Sequence, residues 1–172
     1  MSTRRTDLGA VLEAALHRSD IVWLRTDRDR ATWFAPVPAG SPAGPSGSLL
    51  VVAGGPEPEL GDLAAPPAPL HVILRSKGDG RRLLVLPATA AELVPPSSSV
   101  TQPPGEGSDA GDPWTAATAL LRAERIGGGP DIVSRWRAES RIWLIRPAGR
   151  PVESPDRPPP TTLVAEVVRP LP

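Results

Sequence analysis

Apolar residues recur at helical spacing near the start of the chain. Leu8, Val11, Leu12, Ala15 and Leu16 fall at i, i+3, i+4, i+7 and i+8, one stripe of an amphipathic helix. Asp7 stands where a cap belongs, and His17 and Arg18 bring positive charge to the C-terminal end of the dipole. The pattern then changes period. IVWLRT (21–26) reads as a strand, the charged turn DRDR follows, and ATWFAPV (31–37) reads as its hairpin partner. Past the flexible loop PAGSPAGPSG, SLLVVAGG is a third strand, apolar on both faces and therefore interior. PEPELGDLAAPPAP is too rich in proline for a long helix and has room for one turn around residues 59–64. LHVILRS and RRLLVLPATAAELV make a second hairpin, joined by the turn that carries Lys77.

Residues 95–111, PPSSSVTQPPGEGSDAG, are low-complexity and read as a flexible loop. A second helix follows, with Asp112 as cap, Pro113 at the first position, and Trp114, Ala117, Leu120 and Leu121 at helical spacing. GGGP ends it. DIVSRWRAES is a short third helix with Ile132, Val133 and Trp136 on one side, and RIWLIRP (141–147) is a sixth strand. Strands dominate, hairpin-length turns join them, and helices do not alternate with them. The pattern therefore predicts an antiparallel barrel with helices packed outside. Residues 1–150 form the domain, and 151–172 a proline-rich tail in which TTLVAEVV (161–168) could add a strand.

Composition changes this picture mainly by exclusion. The formal net charge of the 172 residues is zero, so no global field draws the chain to nucleic acid or an anionic membrane. Charge is uneven locally: residues 113–150 hold seven arginines against Glu124, Asp131 and Glu139, whereas 53–112 hold eight acids against four bases. With no cysteine there is no disulfide, thiolate nucleophile or zinc knuckle. The N-terminus lacks the apolar run of a signal peptide and no stretch is long enough to span a bilayer, so a cytoplasmic location is expected. The apolar strand set is too rich for a small barrel to hide alone, which predicts a homodimer.

Self-contained catalysis finds little support. His17 and His71 lie far apart in sequence, form no HxxxH pair and have no Ser or Asp at a recognised spacing, and no metal site is expected. There is no GxSxG, P-loop or GxGxxG after a strand. Five tryptophans and Phe34 are the aromatic complement. Trp33 and Phe34 are adjacent on a strand, so one of them faces outward and needs a cover, a helix or a second subunit. Arg75, Lys77, Arg81 and Arg82 could converge on a phosphate, or could simply keep the SKGDG hairpin turn soluble.

Several strings, DLGAVLEAAL with DIVWLRT, SLLVVAGG, LRSKGDGRRLLVLPATAAELVP, and PWTAATALLRAERI with RWRAESRIWLIRP, resemble the pyridoxamine 5'-phosphate oxidase-like, flavin-binding split-barrel superfamily. The likeness runs diffusely over residues 7–147, and no single motif is diagnostic. It implies a six-stranded antiparallel split β-barrel with flanking helices, a homodimer, and FMN or a deazaflavin cofactor in a groove at the subunit interface. It also implies hydride transfer to or from a small molecule, chemistry that the cofactor supplies while the protein binds and orients. The segment after the third strand, where the family generally holds the cofactor phosphate, is here AGGPEPELGDL, three acids and no base or hydroxyl. A phosphate would meet like charge there. The nearest donors by position are Arg75, Ser76 and Lys77, then Arg25 and Thr26, with Trp33 as a stacking surface for the ring. The acidic segment and the proline-rich loop 95–111 support the alternative, a split barrel without cofactor that acts as a ligand- or protein-binding module.

Overall fold

The computed structural model describes residues 8–61, 63, 70–78, 81–96, 111–125 and 127–152. The fold is mainly β. Helix α1 (Leu8–His17) precedes strands β1 (Ile21–Arg25), β2 (Asp29–Trp33), β3 (Ala35–Pro36), β4 (Leu49–Ala53), β5 (Leu70–Arg75) and β6 (Arg82–Leu93). Helices α2 (Pro113–Glu124) and α3 (Ile132–Glu139) follow, and then β7 (Arg141–Pro147). The strands make one antiparallel sheet in the order β2-β1-β5-β6-β7-β4-β3.

Seven strands stand where the sequence pattern predicts six, because the second one breaks at Phe34. Its first part pairs with β1, Ile21 opposite Trp33, and its second pairs with β4, Ala35 opposite Leu50 and Pro36 opposite Leu49. Pro36 has no N–H to extend the ladder. The two edges of the sheet are thus consecutive pieces of chain, and the sheet must curl for them to be so. Strand β6 helps: it pairs with β5 over its first half and with β7 over its second, changing partner at Ala88.

The curl encloses one apolar cluster and leaves a second outside. Val22, Leu24, Leu49, Val51, Val72 and Trp143 are among the residues that fill the interior, with Leu12 and Ala15 of α1 packed into it. Phe34 points the same way. On the outer face, Leu50, Val52, Ile142 and Leu144 meet Trp114, Ala117 and Leu121 of α2 and Ile132 and Trp136 of α3. All five residues of β4 are buried, the two-sided burial its apolar run predicts. Each of its leucines and valines contributes about 1.5–3 kcal/mol relative to exposure.

Helix α2 begins as predicted: Asp112 accepts from the Thr115 N–H at 2.7 Å, with Pro113 at the first position. Residues 59–61 form no helical turn. Past β7 the chain follows the edge of β6's first half that faces away from β5, with Ala148 N–H donating to Pro87 O and Val152 N–H to Val85 O, each at 2.8 Å. The expected cap Asp7, nearly all of the expected loop (97–110) and the expected tail strand (161–168) lie outside the described residues.

The paired glycines after β4 let that turn meet the α3–β7 junction. Gly55 has φ +63°, and a Cβ on it would stand 2.8 Å from Glu139 Cβ and 3.1 Å from Glu139 O. Gly55→Ala therefore combines backbone strain with a clash, and should cost about 2 kcal/mol or more in urea unfolding with an unchanged m-value. Wild-type stability would contradict this close approach.

Candidate functional site

The outward residue of the Trp33–Phe34 pair is Trp33, and its cover is α3. The Trp33 and Trp136 rings lie 6.2 Å apart between centroids, tilted by 33°. Both indole N–H groups donate to Glu57, Trp33 to Oε2 at 3.0 Å and Trp136 to Oε1 at 2.9 Å. Arg125, just past the end of α2, adds its Nε–H to Oε1 at 2.8 Å. The Glu57 side chain is only 3% exposed. A carboxylate can be buried at this depth only with its charge balanced and its lone pairs occupied, and this set of donors does both. Glu57 sits in the turn after β4, in the acidic stretch that the sequence pattern treats as hostile to phosphate. Its charge is turned inward and neutralised.

Beside this cluster runs an open groove of about 1510 Å³. One wall is α1 and the turn into β1, including His17, Asp20 and Ile21. The other is Trp33, Phe34, Pro36, Val37 and the following loop to Ser48, with Leu120 and Glu124 from α2 and Arg125 just past its end. Lys77 and Arg146 also line it. Its cations are Lys77, Arg125 and Arg146 and its carboxylates Glu13, Asp20 and Glu124, so the lining is formally neutral.

Of the six residues nominated from sequence, the groove brings together two, Trp33 and Lys77. Lys77 forms an exposed ion pair with Asp20, and its backbone N–H donates to Arg18 O at 3.0 Å. Ser76 belongs to the turn: its N–H donates to Arg81 O at 2.9 Å, and its hydroxyl accepts from the Gly78 N–H at 3.4 Å. Arg75 lies over the ring of Trp23, 5.2 Å from the centroid, and its carbonyl accepts from the Ser19 hydroxyl at 2.7 Å. Arg25 and Thr26 are at the far end of β1. Arg25 stands opposite His71 whereas Val22 stands opposite Leu74, which separates these positions by roughly 10 Å of strand. Arg25 is held by Asp29 through two hydrogen bonds, at 2.6 and 3.0 Å, and Thr26 donates to Asp27 at 2.9 Å. His17 lines the groove, and His71 is half-buried on β5.

Sequence reasoning misses Glu57, Arg125 and Trp136 as a unit. Its one usable signal is the outward aromatic on the second strand, which demands a cover without naming it. Among the described residues, no three His, Cys, Asp or Glu side chains are placed to hold a metal ion, and no helix is long and apolar enough to cross a membrane. No family model, curated protein or solved structure matches the chain.

Two predictions follow from these charges. Glu57→Ala removes the acceptor of one buried donor, Trp136, and two part-buried ones, Trp33 and Arg125, and should destabilise by about 3–5 kcal/mol in chemical denaturation. A loss below about 1 kcal/mol would mean that water replaces the carboxylate adequately. The hydrogen bond from Arg25 holds the Asp29 carboxyl below its ordinary value of 3.8. A depressed carboxyl stabilises the fold above 3.8 and loses that contribution as pH falls through the lower, folded value. The pair is partly exposed, so Asp29→Asn should cost no more than about 1 kcal/mol at neutral pH. Its deficit should vanish in acid, and a deficit that persists there would rule out an electrostatic origin.

Proposed function

We propose that this chain is a split barrel of the pyridoxamine 5'-phosphate oxidase-like kind, with its groove as the binding site for FMN or a deazaflavin. The observation that carries the reading is the groove itself. It opens between α1, the start of β1 and the kinked β2–β3 edge, and places the aromatic Trp33 and the cation Lys77 on one surface. If β2 and β3 are counted as one kinked strand, the sheet has the six strands of that class. In that class a second copy completes the cofactor groove, so the proposal includes a homodimer.

The donors fit a phosphate in part. Lys77, Ser46 and Ser48 are among the residues that line the groove, whereas Arg25, Thr26, Arg75 and Ser76 are not. The Lys77–Asp20 pair is exposed at both ends, 49% and 69%, so exchanging Asp20 for a phosphate oxygen costs little. A bound flavin would supply hydride transfer to or from a small molecule. The chain's own work is then to hold and orient the ring against Trp33 and to anchor the phosphate at Lys77.

One observation favours a second reading, a split barrel without cofactor that binds another ligand or a protein. Arg25 is already committed to Asp29, Lys77 to Asp20, and Arg75 to the face of Trp23. The two readings separate in a single experiment. The purified protein should carry or take up FMN or the deazaflavin, seen in the visible spectrum and by fluorescence titration, and Lys77→Ala should weaken it about tenfold. A colourless protein that binds neither leaves the cofactor-free module. Tight binding unchanged in Lys77→Ala would move the phosphate elsewhere.

A further inference from the structure

Two side chains on the groove wall share one buried partner. Trp33 and Arg125 both line the groove, and both donate to Glu57, one to each carboxylate oxygen. A guanidinium has five N–H donors, and this contact uses one of them. Arg125 has no other side-chain partner among the described residues, and 23% of its side chain is exposed. Anchored through Nε, the rigid planar guanidinium keeps its four other N–H donors for a ligand in the groove that the residue lines. The Trp33 ring is fixed as well, by its own bond to Glu57 and by packing against Trp136.

Charge decides what this corner can take. Glu57 neutralises Arg125 from behind, and Glu124 stands on the same wall. A phosphate or carboxylate brought to Arg125 would meet the Glu57 charge at short range, which offsets the attraction of the guanidinium. An uncharged acceptor such as a carbonyl oxygen receives the same hydrogen bonds without that repulsion. A flat ring bearing the carbonyl gains contact with the indole of Trp33.

We infer that the Trp33–Arg125 corner is a recognition subsite for an uncharged planar ring system that carries a carbonyl oxygen. The carbonyl accepts from the terminal nitrogens of Arg125 while the ring lies against Trp33. Glu57 is the positioning residue for both. The inference rests on the groove being a ligand site, and does not require the ligand to be a flavin.

The test uses theophylline, a neutral fused ring with two carbonyls, with indole as a ring that has no carbonyl. Theophylline should saturably shift the NMR signals of the Trp33 indole N–H and the Arg125 Nε–H, with a Kd of about 1 mM, ordinary for a fragment of its size. Arg125→Lys keeps a cation on Glu57 but removes the fork, and should weaken theophylline at least about fivefold while leaving indole unaffected. If Arg125→Lys does not fold, the comparison of theophylline with indole on the wild-type protein decides instead. No shift at either signal overturns the subsite, and equal affinity for indole and theophylline overturns the carbonyl contact. FMN binding through Lys77 that shifts Trp33 but leaves Arg125 unmoved would spare the cofactor reading and overturn this one. Theophylline binding here to a protein that refuses both flavins would do the reverse.

Discussion

The buried carboxylate of Glu57 ties together four parts of the chain through its own hydrogen bonds. Its three donors come from β2, from the end of α2 and from α3, and Glu57 itself belongs to the turn after β4. An isolated charge at 3% exposure would be prohibitively costly, so the elements that supply the donors cannot separate independently. Apolar packing between the helices and the sheet's outer face is non-directional and would tolerate sliding. Glu57 fixes the register: two indoles and one guanidinium can meet two oxygens in few arrangements. It is also why the groove has one rigid end, since Trp33 and Arg125 cannot relax without leaving the carboxylate unpaired.

The same segment shows how a sheet curls without a long insertion. Trp33 and Phe34 point to opposite sides, as adjacent strand residues must, and each is claimed by a different apolar cluster. Phe34 fills the interior, while Trp33 is drawn outward to Trp136 and Glu57. The strand breaks between these claims and passes from β1 to β4. Pro36 then keeps the second ladder to two residue pairs. An edge this short, with prolines at 36 and 38, is poorly suited to pairing with another strand, which leaves the groove beside it open.

What could be read from sequence follows from what is local. The helix that starts at Asp112–Pro113 declares itself because a cap and a proline at the first turn act over three residues. The two-sided burial of β4 follows from five apolar residues in a row. The break at Phe34 is illegible, because ATWFAPV has the composition of one strand and only its two partners reveal two. Glu57 is illegible for a similar reason: an acid between prolines looks like solvated turn, and its donors lie 24, 68 and 79 residues away. The nominated phosphate donors show the same limit. Arg25 and Arg75 each end a strand, which in sequence makes them equivalent. Strands β1 and β5 are antiparallel, so their C-terminal ends lie at opposite ends of the pair.

Several charges among the described residues are matched at contact. Asp29 satisfies Arg25, Asp20 satisfies Lys77, Glu57 satisfies Arg125, and the groove lining balances three cations with three carboxylates. Such a surface exerts little long-range pull on an ion, in keeping with a chain of zero net charge. Under the proposed reading, selectivity comes at contact range, from shape and from the direction of a few donors. A buried carboxylate is well suited to that task, since it immobilises an arginine and an indole while cancelling the field the arginine would otherwise project. The acidic turn after β4, which on charge alone argues against a ligand, is what gives the groove its most ordered surface.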